Sequence, residues 1–111
     1  MTITEEMPAK AETVANFLKG LANPHRLLIL CALANGERSV SELIEETGIA
    51  QTSMSQHLAK LREQNLVSTR KDAQSVFYRV SDPKALELLA LLHDLFCPDL
   101  GGAGATEPSR S

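Results

Sequence analysis

Apolar positions recur along most of this chain with helical spacing, and along one short stretch with strand spacing. From Pro8 to Gly20, with Leu21 just beyond, Val14, Phe17, Leu18 and Leu21 make one helical stripe, and Gly20 stands where a helix stop is expected. Asn23-Pro24 then has the form of an N-cap followed by proline at the first helical position, where the missing N–H costs nothing. The helix it opens, Pro24 to Ala34, carries LLILCAL, apolar around most of its circumference. It is expected to be the central buried helix, with Cys31 inside it and Asn35-Gly36 closing it. Ser39 and Glu42 have the spacing of a capping box and open a third, short helix ending before Gly48. A fourth helix lies within Thr47 to Leu66, and a fifth runs from Pro83 to about Phe96 behind the cap Asp82. Between them Val67 to Lys71 and Val76 to Val80 are rich in β-branched and aromatic residues and predict a hairpin. Its connection, Asp72-Ala73-Gln74-Ser75, has no glycine, so a loose tip is expected rather than a tight two-residue turn. The fold class is therefore mainly α, five helices with a small β-hairpin.

The fourth helix is unusual for what it does not carry. Met54, Leu58 and Leu61 recur at i, i+4 and i+7 and face a core. The other side presents Thr52, Gln56, Ala59 and Lys60, flanked by Ser53 and Ser55, where a solvated helix normally carries Glu and Lys pairs. Small hydrogen-bonding side chains suit a nucleic-acid groove: a Gln amide donates and accepts at once to adenine, and hydroxyls suit base edges or phosphates. Gly48 fits a left-handed turn between the third and fourth helices. Ala50, at the helix start, cannot cap it with a side chain.

Composition changes this picture in two ways. The chain has 111 residues, one domain's worth, and a net charge of −3, which argues at first against DNA. Yet Lys60, Arg62, Arg70, Lys71 and Arg79 fall in one window with only Glu63 and Asp72 against them. That window follows the polar-faced helix directly, where phosphate anchoring requires positive charge. No apolar run reaches the roughly 20 residues a membrane helix needs, and the first residues lack a signal-peptide layout, so a cytoplasmic location is expected. No Ser-His-Asp set, Gly-rich phosphate loop or catalytic carboxylate pair is present, which argues against an enzyme. Residues 1–7 and 98–111 are expected to be flexible ends around a single domain at 8–97.

The fifth helix, ALELLALLHDLF from Ala85, leaves only Glu87, His93 and Asp94 polar, more apolar surface than one domain needs. A second copy of the chain is the expected cover, with the first and fifth helices as the seam of a homodimer. Such a dimer would present two fourth helices to a pseudo-palindromic site.

LANPHRLLIL (Leu21 to Leu30), SVSELIEETGIAQTSMSQHLAKLREQNLV (Ser39 to Val67) and VFYRVSD (Val76 to Asp82), in this order, resemble the ArsR family of winged helix-turn-helix repressors. Ser53, Ser55, His57, Leu58 and Leu61 carry the most specific part of the match, which spans roughly Ala15 to Cys97. The resemblance implies a homodimer on double-stranded operator DNA, its fourth helix in the major groove and its wing on the flanking backbone. Carried onto this chain, the DNA-contacting residues are Gln51, Thr52, Ser53, Ser55, Gln56, His57 and Lys60 on the helix. Arg70, Lys71, Gln74 and Arg79 are those on the wing. For His57, at the edge of the apolar stripe, a packing or phosphate-contacting role is expected.

Metal-sensing relatives carry a Cys-rich run in the third helix, absent from SVSELIEE, and an Asp-x-His pair where this chain has Asp82 and Lys84. Leu95 and Pro98 occupy the later ligand positions, so the family's usual metal sites are missing and no cofactor is expected. The two cysteines, Cys31 and Cys97, are open to several readings on their own. A free cysteine is often a small buried hydrophobe, Cys97 at a helix C-terminus gains nothing from the dipole, and a cytosolic pair serves redox sensing or metal binding more often than structure. One subgroup of the family, the BigR/SqrR-like repressors of sulfane sulfur (persulfide), has one cysteine in each of these two helices, and HlyU-like regulators are near relatives. That likeness implies a dithiol bridged, as disulfide or polysulfide, when persulfide or another oxidant is present. The alternatives are metal ligation by Cys31, Cys97 and His93 or His25, and a protein-interaction module that does not touch DNA.

Overall fold

The computed structural model describes residues 3–97, so the expected C-terminal tail lies outside the described residues. Helix α1 (Ile3–Leu21) leads into α2 (Pro24–Ala34), a two-residue strand β1 (Arg38–Ser39), α3 (Val40–Thr47) and α4 (Gln51–Glu63). A hairpin of β2 (Val67–Asp72) and β3 (Ser75–Val80) follows, then α5 (Pro83–Phe96).

Local chemistry sets most of these boundaries. The Asn23 side chain accepts from the N–H groups of His25 and Arg26 at 2.9 and 3.2 Å, starting α2 with Pro24 as its first residue. Ser39 and Glu42 form the reciprocal capping box, at 3.2 and 2.8 Å. Such a cap contributes on the order of 1 kcal/mol. Gly48 ends α3 in the left-handed conformation (φ 77°), which a residue with a Cβ adopts only at a cost. Asp82 caps α5 through the Lys84 N–H at 2.9 Å.

Buried side chains from all five helices and from β2 and β3 meet in one core. Ile29, Leu30, Leu43, Met54, Leu58 and Leu61 are its fully buried members, and Leu66, Val67, Val80 and Leu89 close it. The apolar stripe of α4 is thus clamped between α2, α3 and the base of the hairpin.

Several expectations are corrected. The first helix begins at Ile3 rather than Pro8, so Pro8 lies inside it rather than at its start. Gly20 does not stop α1 but lies within it, buried. A Cβ there would meet the end of the flexible Gln64 side chain, which can swing aside, and press on Leu66 at 3.0 Å, so glycine eases a close approach here and makes no turn. The hairpin tip is tight: Asp72 pairs with Ser75 across a two-residue loop, and Ala73 takes a positive φ of 58° that a glycine would normally supply. Strand β1 was not expected. It pairs antiparallel with β3, making a three-stranded sheet in the order β1-β3-β2. Finally, Cys31 is exposed rather than buried, since α2 turns only Ile29, Leu30 and Leu33 fully into the core.

Candidate nucleic-acid interface and thiol pair

Packing α4 through Met54, Leu58 and Leu61 leaves Gln51, Thr52, Ser55, Gln56, Ala59 and Lys60 exposed along its far side, with Ser53 half-buried at the flank. The helix starts at Ala50 with no side-chain cap, so its first N–H groups are open to an external acceptor. Beside this bare face runs an open groove of about 840 Å³ between α4 and the sheet, lined by Ser55, Gln56, Lys60, Arg62 and, from the sheet, Tyr78.

His57 turns the other way. It is half-buried against the start of α2, where its ring meets that of His25 edge-on at 5.5 Å and its Nδ1 accepts from Arg26 Nε at 3.5 Å. Burial, then the charges of Arg26 and His25, lower its pKa, so it is the neutral ring that accepts from Arg26.

The wing divides its cations between two faces, because side chains alternate along each strand. Arg70 lies opposite Phe77, and Ser68 opposite Arg79, on the face turned from the core; Lys71, opposite Val76, shares its face with Tyr78, which packs on the core. Lys71, Gln74 and Arg79 are exposed. Arg70 is exposed too but engaged: its Nη2 and Nε donate to the Glu37 carboxylate at 2.8 and 3.1 Å, its guanidinium lies 5.0 Å above the Phe77 ring, and Asp72 is 3.5 Å away. Glu37 and β1 were missed by sequence reasoning. A two-residue strand overlapping an N-cap leaves no periodic signal, and Glu37 looks like an ordinary surface carboxylate.

The two thiols lie at the junction of α2 and α5. Cys31 occupies the last turn of α2, beside a crevice of about 470 Å³ lined also by Asn35, Leu86, Leu89, His93 and Asp94. Cys97 follows α5, half-buried, its N–H donating to the His93 carbonyl at 2.7 Å. Both are free. Although Cys31 is exposed on the surface of α2, desolvation along the crevice raises its pKa, and Cys97 adds to the rise. His93 shares the crevice with Cys31, whereas His25 sits at the opposite end of α2 with His57. Among the described residues no group of three or more His, Cys, Asp or Glu side chains is placed to hold a metal ion. Nor, among them, is any helix long and apolar enough to cross a membrane.

A helix packed along one stripe, bare along the other, preceded by a short helix and a glycine turn and flanked by a hairpin, defines a winged helix-turn-helix. Residues 23–69 match the family model for bacterial regulatory proteins of the arsR family. The biofilm growth-associated repressor of Xylella fastidiosa is 44% identical over 93 residues, 84% of this chain and 82% of that protein. The crystal structure of that organism's repressor BigR superposes with a TM-score of 0.82 over 87% of this chain and 98% of its own. The nodulation protein NolR of Rhizobium meliloti is 48% identical over 80% of this chain and 73% of its own length. Reduced HlyU from Vibrio cholerae, at 44% identity, superposes with a TM-score of 0.79 over 84% of this chain and 98% of its own. This chain belongs to the arsR family, whose members are transcription regulators that bind operator DNA and are not enzymes.

Proposed function

We propose that this protein is a repressor that occupies operator DNA as a homodimer and leaves it when Cys31 and Cys97 become bridged. The observation that carries the reading is the placement of the only two cysteines, 66 positions apart in the chain, at the α2–α5 junction: Cys31 lines the crevice with His93, and Cys97 stands one turn beyond His93, its N–H on the His93 carbonyl. On that face α4 enters the major groove. Gln51, Thr52, Ser53, Ser55 and Gln56 read bases or hold phosphates, and Lys60, Lys71, Gln74 and Arg79 anchor the flanking backbone. His57 holds α4 against α2. Repression rather than activation follows the Xylella relative, although the HlyU relative of Vibrio cholerae is named a transcriptional activator.

The chemistry needs only a sulfane-sulfur donor. A cysteine thiolate takes the outer sulfur of a persulfide RSSH and releases RSH, leaving Cys–S–SH. The second thiolate attacks the inner sulfur, expels HS⁻ and closes the disulfide, so two thiols and RSSH become one disulfide, RSH and H₂S. A protein described as reduced stands among the solved relatives, which agrees with a thiol state that matters. In the reducing cytoplasm the dithiol is the resting form. Bridging α2 to α5 would then shift the dimer toward a DNA-incompetent arrangement, for which a few kcal/mol suffices.

The test is operator binding before and after persulfide treatment. Cys31→Ser and Cys97→Ser should bind DNA as the native protein does, with affinity falling steeply as salt rises, yet should no longer release it on treatment. Normal release by either variant would falsify the two-cysteine switch.

A further inference from the structure

The wing carries one cation, Arg70, whose Nε and Nη2 are taken up by a neighbouring carboxylate. Arg70 and Phe77 stand opposite each other on the outer face of the sheet, and Ser39 of β1 is paired with Phe77 on the other side. Glu37, two residues before Ser39, lies on that same face by the strand alternation. Its carboxylate reaches over the edge of β3 to Arg70, taking hydrogen bonds at 2.8, 3.1 and 3.1 Å while the guanidinium lies on the Phe77 ring. All three strands are therefore tied on one face by one side-chain strap.

The strap is anchored behind as well. Arg38 donates to the Glu37 carbonyl at 2.9 Å and pairs with Glu46 of α3 at 2.8 Å, so the chain of contacts runs from α3 through residues 37 and 38 to β2. Beyond it the hairpin has no core: Ala73, Gln74, Ser75 and Val76 are all exposed. Hydrogen bonds from Arg70 hold the Glu37 carboxyl below the usual carboxylate range, with the charges of Arg70 and Arg79 adding, so the strap stays ionised throughout the neutral range.

We propose that Glu37 is a positioning residue for the wing: by holding Arg70 across the outer face of the sheet it fixes the angle at which Lys71 and Gln74 meet the DNA backbone. Arg70 acts through this strap and not by contacting phosphate. An exposed ion pair of this kind adds little to stability; its effect is on where the hairpin points. The proposal rests on the DNA-binding reading above.

Binding of a labelled random-sequence DNA duplex, followed by anisotropy across a salt series, tests it on the full chain. Glu37→Gln removes a negative charge near the DNA, so simple electrostatics or a freed Arg70 would tighten binding and steepen its salt dependence. The strap predicts the opposite: binding roughly threefold weaker, a salt slope shallower by up to about one ion, and an unchanged melting temperature. Arg70→Glu alone should weaken binding further, and adding Glu37→Arg, which rebuilds the pair in reverse, should recover most of the loss. Binding by Glu37→Gln that is equal to or tighter than native, or a reversed pair no better than Arg70→Glu alone, overturns the proposal. If the native chain itself binds no duplex at low salt, it is the DNA-binding reading that fails.

Discussion

In the proposed groove-reading role of α4, Gln56 is the side chain on which specificity is expected to rest most. It stands exposed on α4, across the helix from Met54 and Leu58, and it lines the groove beside the wing. An amide that pairs with adenine through both its ends discriminates against a wrong base by about 1–3 kcal/mol. Gln56→Ala is therefore expected to lose on the order of tenfold or more in affinity for the cognate operator, with a much smaller loss on random DNA. Competition binding against both duplexes measures the ratio, and equal losses would remove Gln56 from base reading. Which face of α4 stays outside the core was legible from the sequence, because Met54, Leu58 and Leu61 mark the opposite stripe as buried. Cys31 was misread for the complementary reason. In LLILCAL every position looks like core, yet a helix on the surface of a domain buries only part of its circumference, and side-chain type does not distinguish surface kept for a partner from surface kept for the core.

At the scale of the element, the hairpin shows which local preference wins. The absence of glycine between the strands suggested a loose tip, but six cross-strand pairs from Val67↔Val80 to Asp72↔Ser75 run to the end and impose the tight loop. Ala73 meets the cost with a φ of 58°, a region that disfavours an L-residue by about 1–2 kcal/mol. Ala73→Gly relieves that strain and gives back part of it in unfolded-chain entropy. The expected net gain is up to about 1 kcal/mol, or a melting temperature higher by roughly 4–8 °C, read by thermal unfolding. An unchanged or lower melting temperature would mean that Ala73 is not strained. Helices α2, α3 and α5 were legible because each carries a cap or a stop within its own sequence, as Asn23-Pro24, Ser39 with Glu42, Gly48 and Asp82-Pro83 do, whereas α1 and α4 were legible from their apolar stripes alone. Strand β1 was not, since Ser39 belongs to it and caps α3 at once, and its partner lies nearly forty residues on, at Phe77.

Across the whole molecule the unpaired surface is concentrated. The chain is a slab of 49 × 37 × 21 Å, thin enough that two layers of helices at about 10 Å each fill it and leave their outer faces open. On α5 Leu91, Leu95 and Phe96 are 52%, 62% and 77% exposed, and Leu18 of α1 and Leu28 of α2 stand about half exposed. Apolar side chains this open and this numerous mark an interaction surface; in the proposed homodimer a second copy, laying α5 and α1 against their counterparts, would cover them by a two-fold axis. Because Leu91 and Leu95 make no part of the monomer's buried core, Leu91→Glu with Leu95→Glu tests the seam without opening a cavity. Sedimentation should show the native chain as a dimer at micromolar concentration and the double variant as a folded monomer with native helix content. Losing the second recognition helix removes the gain from two-point attachment, typically about 10²–10⁴ in affinity, so operator binding should fall by at least a hundredfold while contacts within each copy stay intact. A native chain that sediments as a monomer, or a double variant that remains a dimer, would place the seam elsewhere. The thiol pair at the α2–α5 junction would then lose its route to the spacing of the two α4 helices.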